Sequence, residues 1–335
     1  MMDALYYTKL DNHKVQCNLC PHNCVVDNGK QGICKVRVNK SGSLVSENYG
    51  QITGYHFDPV EKKPLYHFYP GKEILSIGSV GCNLDCQFCQ NHEIAQTGVS
   101  DYYHLKELSP GAVVNTALRQ KNNIGIAYTY NEPLVFFEFM KDTALNAKQN
   151  GLKNVMVTNG FINQKPLESL LRFIDAFSVD LKAFTDGFYK KVTFSRLKPV
   201  LENLKTIKKS GRLLEITNLV IPTLNDNEET FKEMVLWIAN ELGKDTVLHI
   251  SRYHPMYKMN IESTGAQKLF SLYKIAGEYL DFVYLGNIHT EKGQNTYCPN
   301  CKKAVIIRTG YSTETTGIDS KGNCIYCNTK VIEHY

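Results

Sequence analysis

The sequence predicts an α/β protein built on a partial (β/α)6 barrel of TIM type, with a cysteine-rich segment on either side. Three observations carry this. Between residues 71 and 290, short apolar runs alternate with amphipathic stretches of helical length, the pattern of parallel strands joined by crossover helices. Roughly six such units fit, fewer than the eight that close a barrel. Polar residues follow several different strands, as at a barrel mouth, whereas a doubly wound sheet gathers its site at one switch point.

Taken in order, residues 1–70 show no long helical period but carry turn signals at Asp27-Asn28-Gly29 and Ser41-Gly42-Ser43. Residues 74–78 read as the first buried strand. Ser109-Pro110 supplies an N-cap and a first-turn proline for a helix with Val113, Val114, Ala117 and Leu118 on one face. Residues 124–129 form the second strand, followed by a helix with Phe137, Met140, Ala144 and Ala147 inward that ends near Gly151. Strands at 155–158 and 176–181 enclose a helix over 166–173. A helical stretch with Leu201, Leu204 and Ile207 stops at Gly211, before a strand over 213–221. A helix over 226–242, a strand over 246–251, a helix around Leu269, Leu272 and Ala276 and a last strand over 282–285 complete the series. Residues 291–335 are a short strand-and-turn segment.

The composition, 43% hydrophobic and 21% charged over 335 residues, is that of a globular protein. The net charge of +5 permits an anionic partner but does not demand nucleic acid, because the basic residues are scattered. No basic region followed by an apolar stretch marks a secretory signal, and no run reaches the ~18–20 apolar residues that span a bilayer. A cytoplasmic location and no membrane partner are expected.

Eleven cysteines fall in groups of four, three and four: Cys17, Cys20, Cys24 and Cys34; Cys82, Cys86 and Cys89; Cys298, Cys301, Cys324 and Cys327. Four thiolates close a metal site, whereas three leave a position open. The central group, Gly81-Cys82-Asn83-Leu84-Asp85-Cys86-Gln87-Phe88-Cys89, directly follows the first barrel strand. Its spacing, with aromatic Phe88 before the last cysteine, suits three irons of a 4Fe–4S cluster and leaves the fourth without a protein ligand. Such an iron can chelate the amino and carboxylate groups of S-adenosylmethionine (SAM), whose reductive cleavage yields a 5′-deoxyadenosyl radical. Zinc completed by a distant histidine is the bland alternative.

The loop, followed by Gln90-Asn91, resembles the radical SAM superfamily in its branch of glycyl-radical-enzyme activases, such as pyruvate formate-lyase activating enzyme. The outer segments extend the likeness: Cys17-Asn18-Leu19-Cys20-Pro21-His22-Asn23-Cys24, residues 29–34, residues 58–68, Tyr128-Thr129-Tyr130-Asn131-Glu132-Pro133 and Leu285-Gly286-Asn287 leading into Tyr297-Cys298-Pro299-Asn300-Cys301. Together these are similar to the AmmeMemoRadiSam system radical SAM enzyme over nearly the whole chain.

The resemblance implies that Asn131 and Glu132 receive the ammonium of SAM. Taken alone, Glu132 would be a first-turn acid complementing a helix dipole. Thr158 and Asn159 end the third strand, and Asp180-Leu181-Lys182 the fourth. An Asp-x-Lys pair on one strand puts both charges on one face. In the activases this pair lies by the cofactor, the acid helping to hold a monovalent cation. Here Val157 replaces the acid that usually joins it, so Lys182, beside the cofactor carboxylate, is the firmer expectation and the residue expected to act in catalysis. Phe88 is expected against the cofactor. Thr217 interrupts an apolar strand beside Asn218, and buried polar groups need partners. By resemblance His254 would touch the ribose, and Arg252 the cofactor or substrate carboxylate.

Cys298, Cys301, Cys324 and Cys327 form Cys-x2-Cys-x22-Cys-x2-Cys, a zinc-ribbon-like arrangement, with a rubredoxin-like iron as runner-up. Cys17, Cys20, Cys24 and Cys34 suit zinc or an auxiliary iron–sulfur cluster, with zinc slightly preferred. Arg308-Thr309-Gly310-Tyr311 has an outward likeness to a glycyl-radical loop but lies between the two C-terminal knuckles, where a strand turn is expected. The expected segments are therefore 1–70, metal-binding; 71–290, the barrel; and 291–335, the ribbon. The expected activity is SAM cleavage and hydrogen abstraction from a protein glycine. The alternatives are a small metabolite or RNA base, and a non-catalytic zinc-organised module. A flavodoxin or ferredoxin reductant and partners from the two associated families of the AmmeMemoRadiSam system complete the expectation.

Overall fold

The computed structural model describes residues 1–334. Its centre is an eight-stranded sheet, in spatial order Val283–Gly286, Val247–Arg252, Leu213–Val220, Ala176–Asp180, Lys153–Thr158, Asn123–Tyr128, Glu73–Gly78 and Gly54–Pro59. The first seven in this order are mutually parallel. Each lies beside its predecessor in the chain, so the order never reverses and no switch point arises. The two end strands do not pair with each other. The sheet is thus a partial barrel with six crossovers, as expected.

The eighth strand, Gly54–Pro59, runs antiparallel to Glu73–Gly78 and comes from the N-terminal segment. It had no signal in the sequence because its side chains are mostly half-exposed or exposed and it ends in proline, which a sheet tolerates at an edge. The rest of that segment forms two three-stranded sheets, one through Arg37–Lys40 and Ser43–Ser46, the other through Val15–Cys17, and a strand, Gln51–Ile52, that pairs with Lys106–Glu107.

Helices cover the outer face. Ser109 Oγ accepts from Ala112 N at 3.2 Å at the start of Pro110–Leu118. Asn227 caps Glu228–Glu241 through Thr230 N. Helix Phe137–Gln149 buries Phe137, Phe139, Met140 and Ala144 against the sheet. No helix among the described residues is long and apolar enough to cross a membrane.

The C-terminal segment folds as a small antiparallel sheet, Thr296–Tyr297, Ala304–Thr309 and Ser312–Glu314. It packs with Tyr66, Val247, Phe282 and Tyr284 of the remaining chain. Arg308 is buried, with its guanidinium 4.1 Å from the Tyr66 ring centroid and Nη2 donating to Tyr66 O at 2.7 Å. Arg308-Thr309-Gly310-Tyr311 is therefore a strand end and its turn. Beneath it, wholly buried Glu215 accepts from Tyr66 N, His67 N and His249 Nε2 at 2.9, 2.8 and 2.6 Å.

Candidate active site

The loop carrying Cys82, Cys86 and Cys89 leaves strand Glu73–Gly78 at its C-terminal end. Gly81 has φ +90°, and a Cβ there would lie 2.5 Å from Cys34 O, so the turn requires glycine. Helix Asp186–Val192 pins the loop from the far side: Asp85 N and Gln87 N donate to Thr193 O and Val192 O. Cys89 N closes a turn on Cys86 O at 3.1 Å. None of the three thiols is in a disulfide. Burial pushes all three up, Cys86 to about 12, so they would give up protons only to a strong electrophile such as a metal.

Around the loop stands a hydrogen-bonded polar cage. Asn131 spends both ends of its amide on the chain entering Cys82: Oδ1 accepts from Ser79 N at 3.0 Å, and Nδ2 donates to Val80 O and Gly81 O at 3.2 and 2.9 Å. Glu132 is buried. Its Oε1 accepts from Thr158 Oγ1 at 2.7 Å and Leu134 N at 3.1 Å, and its Oε2 from Asn159 N at 2.8 Å. Burial raises its pKa to about 7 against these three bonds. Asn159 Nδ2 reaches Asn83 Oδ1 at 2.9 Å and Cys82 Sγ at 3.9 Å. Asn131, Glu132, Thr158 and Asn159 thus form one network with the loop.

Lys182 Nζ lies 3.0 Å from Asp180 Oδ2 and 5.6 Å from the Phe88 ring centroid. Burial opposes its charge, but Asp180 and then Cys86 outweigh it and hold the ammonium pKa raised. Phe88 is buried against Phe188. Thr217 pairs in register with Asp180; its Oγ1 and the neighbouring Asn218 Oδ1 are buried without a hydrogen-bond partner. Asn218 also lines a cavity of about 350 Å³ with Phe184, Leu224 and Asn225.

Arg252 and His254 lie farther along the rim. Arg252 Nε donates to Thr264 O at 2.8 Å, and exposed His254 faces Ser263 Oγ at 3.1 Å and Asn287 O at 3.4 Å. No direct hydrogen bond joins either to the cysteine loop among the described residues. The loop between them and helix Ala266–Gly277 does reach it: Lys258 N donates to Gln87 O, and Lys258 Nζ lies 3.1 Å from Asp85 Oδ2. Tyr257 stacks on His92 at 4.5 Å. Nothing in the spacing of Tyr257 and Lys258 marked them, because their role depends on how one loop folds over another.

The two outer cysteine groups differ in geometry. Cys298, Cys301, Cys324 and Cys327 bring their four sulfurs within 4.8 Å of one another, with Sγ–Sγ distances of 3.5 and 3.6 Å for Cys298–Cys327 and Cys301–Cys324. Cys17, Cys20, Cys24 and Cys34 instead line one cleft of about 410 Å³ together with Asn83 and Leu134.

Residues 76–238 match the radical SAM superfamily. The chain is 41% identical over 334 residues to an uncharacterised protein of Methanocaldococcus jannaschii, covering 99% of both. It is 26% identical to the pyruvate formate-lyase-activating enzyme of Clostridium pasteurianum over 60% of this chain and 89% of that one. Among solved structures, Streptococcus suis SuiB bound to S-adenosylmethionine shares the fold at 16% identity and a TM-score of 0.51, over 69% of this chain and 53% of that one.

Proposed function

We propose that this chain, which belongs to the radical SAM superfamily, cleaves SAM reductively and uses the radical to take hydrogen from a glycine of a partner protein. The observation that carries the reading is the three-thiol loop with no fourth cysteine, held at the C-terminal strand ends by a network that includes the buried Glu132 carboxylate. Superfamily membership implies a 4Fe–4S cluster and SAM, and the residues fit both. When bound, the cluster supplies the electron that breaks the sulfur–C5′ bond.

The chain's own contribution is binding, orientation and shielding. Cys82, Cys86 and Cys89 would hold the cluster. Asn131 fixes the path into Cys82, and Glu132, with Thr158 and Asn159 orienting it, would receive the SAM ammonium. Lys182, steered by Asp180 and packed over Phe88, would meet the cofactor carboxylate. Thr217, whose hydroxyl is unpartnered, would line the cofactor's path, and Arg252 and His254 would take the outer rim. The likeness to a pyruvate formate-lyase-activating enzyme supports a protein glycine as target. The likeness of residues 17–34, 58–68 and 285–301 to the AmmeMemoRadiSam radical SAM enzyme is the ground for proposing partners from the two associated families.

Zinc is the metal proposed for the C-terminal four cysteines. A tetrahedral ion with Zn–S bonds of about 2.3 Å sets its sulfurs about 3.8 Å apart, close to the distances here.

Anaerobically reconstituted protein, given dithionite or a flavodoxin or ferredoxin, should form 5′-deoxyadenosine from SAM. Cys86→Ala should abolish it. A wild-type preparation that carries only zinc and leaves SAM intact would end the enzyme reading. With a candidate partner present, a glycine-centred radical in its electron paramagnetic resonance (EPR) spectrum supports the activase assignment. Deuterium transfer into 5′-deoxyadenosine from a labelled small molecule would replace it.

A further inference from the structure

We infer that Cys17, Cys20, Cys24 and Cys34 hold a second iron–sulfur cluster, a fully protein-ligated one, that passes single electrons to the site at Cys82. The chain contains its own calibration for this. Cys298, Cys301, Cys324 and Cys327 converge to a spacing that one ion fills, and among the described residues no other three cysteines come within 4.8 Å of one another. The N-terminal four are therefore spread more widely, as the central three are, yet all four face one cleft of about 410 Å³. A single tetrahedral ion would draw its sulfurs to about 3.8 Å. A polynuclear cluster takes one cysteine per iron around a multi-atom body, and four thiols leave no iron open for a substrate. The site is then built for electrons rather than for bond-making.

The lining agrees. Leu19, Val26, Ile33, Leu134 and Val135 make the walls apolar. Arg37, buried to 1% exposure, also lines the cleft, and its Nε is buried without a partner although both its terminal nitrogens are taken by Glu138 and Leu5 O. An unpaired guanidinium N–H beside four thiols has an acceptor in a cluster's sulfur or thiolate.

The placement supplies the direction. Cys82 is gripped on both sides by the N-terminal cysteine segment. Before it, Gly81 packs so closely on Cys34 O that no Cβ fits. After it, Asn83 O faces His22 Nε2 at 2.7 Å, and Asn83 forms part of the cleft wall. An external one-electron reductant of the ferredoxin or flavodoxin class is oxidised by one electron, which the N-terminal site accepts and then gives up to the Cys82 site; no bond forms or breaks in the transfer. The relay rests on the reading of Cys82, Cys86 and Cys89 as the SAM-cleaving site, whereas the cluster itself does not.

The test is metal, sulfide and EPR analysis of the full chain, reconstituted anaerobically with iron and sulfide. The Cys82→Ala/Cys86→Ala/Cys89→Ala variant should keep about four irons and four sulfides, with a reduced-state EPR signal that SAM does not perturb. Cys20→Ala/Cys24→Ala should lose that signal and keep the SAM-sensitive one. Wild type, which needs no variant to fold, should show both signals. A second zinc per chain in place of sulfide-bearing iron, or a wild-type spectrum with only the SAM-sensitive signal, overturns the cluster. If both signals are present but Cys20→Ala/Cys24→Ala is reduced by ferredoxin as fast as wild type, the relay fails. If neither signal responds to SAM, it is the reading of the central site that fails.

Discussion

At the scale of single residues, the decisive question is which polar groups are already satisfied by the protein. Asn131 is fully committed: one oxygen and both amide hydrogens serve the chain entering Cys82. Asn131→Ala would leave Ser79 N and Gly81 O unpaired in a buried place, with Val80 O kept by Asn48 Nδ2 at 3.3 Å, at about 1–3 kcal/mol for each such loss. It should therefore reduce iron loading at the central loop, read as iron and sulfide content. Glu132 is different. Its three donors are neutral, and its charge, disfavoured by burial, pairs with no cation among the described residues. Glu132→Gln keeps the size and loses the charge. SAM affinity, measured by calorimetry on cluster-loaded protein, should fall roughly 10- to 100-fold, the worth of one charge-assisted bond, with the cluster spectrum unchanged. An unchanged affinity removes Glu132 from the cofactor site.

At the scale of elements, the cysteine loop is held by the N-terminal segment, helix Asp186–Val192, the turns after strands Asn123–Tyr128 and Lys153–Thr158, and the loop carrying Lys258. The tightest is Gly81 on Cys34 O. Gly81→Ala adds a Cβ 2.5 Å from that oxygen at φ +90°, for an expected loss of about 1–3 kcal/mol. Because the contact joins two cysteine groups, iron content should drop at both, and thermal denaturation should shift down. Loss confined to the central group would show that they are not coupled. Most of this scale was legible in the sequence. The seven parallel strands announced themselves by apolar runs of the right length, and the Cys-x3-Cys-x2-Cys loop by its place after the first of them. Strand Gly54–Pro59 did not, since exposed Tyr55 and His56, a buried Asp58 and a terminal proline erase the alternation that marks a strand. Nor did the grip of His22 and Cys34 on the loop, which depends on tertiary approach between segments about 50 to 60 residues apart in sequence.

At the scale of the whole molecule, the floor of the barrel ties the three parts of the chain together. His67 lies in the N-terminal segment, Glu215 and Tyr284 in the barrel, and Thr296 and Arg308 in the C-terminal segment. His67 Nε2 faces Tyr284 Oη at 2.8 Å, Tyr284 Oη faces Thr296 Oγ1 at 2.7 Å, and Glu215 takes both His67 N and His249 Nε2. Burial, only partly offset by Glu215, depresses the His67 pKa from 6.5 to about 4. Between those values the unfolded chain binds the proton and the folded chain does not, so acid favours unfolding. The stability at stake is complete above pH 6.5 and is lost as pH falls towards 4, amounting to about 3 kcal/mol at most. Glu215 is also buried, but His249 and His67 hold its pKa below the ordinary value, so its own contribution disappears only at lower pH. The denaturant midpoint of the wild type should therefore fall between pH 7 and pH 5. His67→Phe keeps a ring against Phe282, where the two centroids are 4.4 Å apart, and removes the titrating group. It should flatten that slope while leaving the acid limb below pH 4.5 in place. An unaltered slope would assign the acid sensitivity to another buried group.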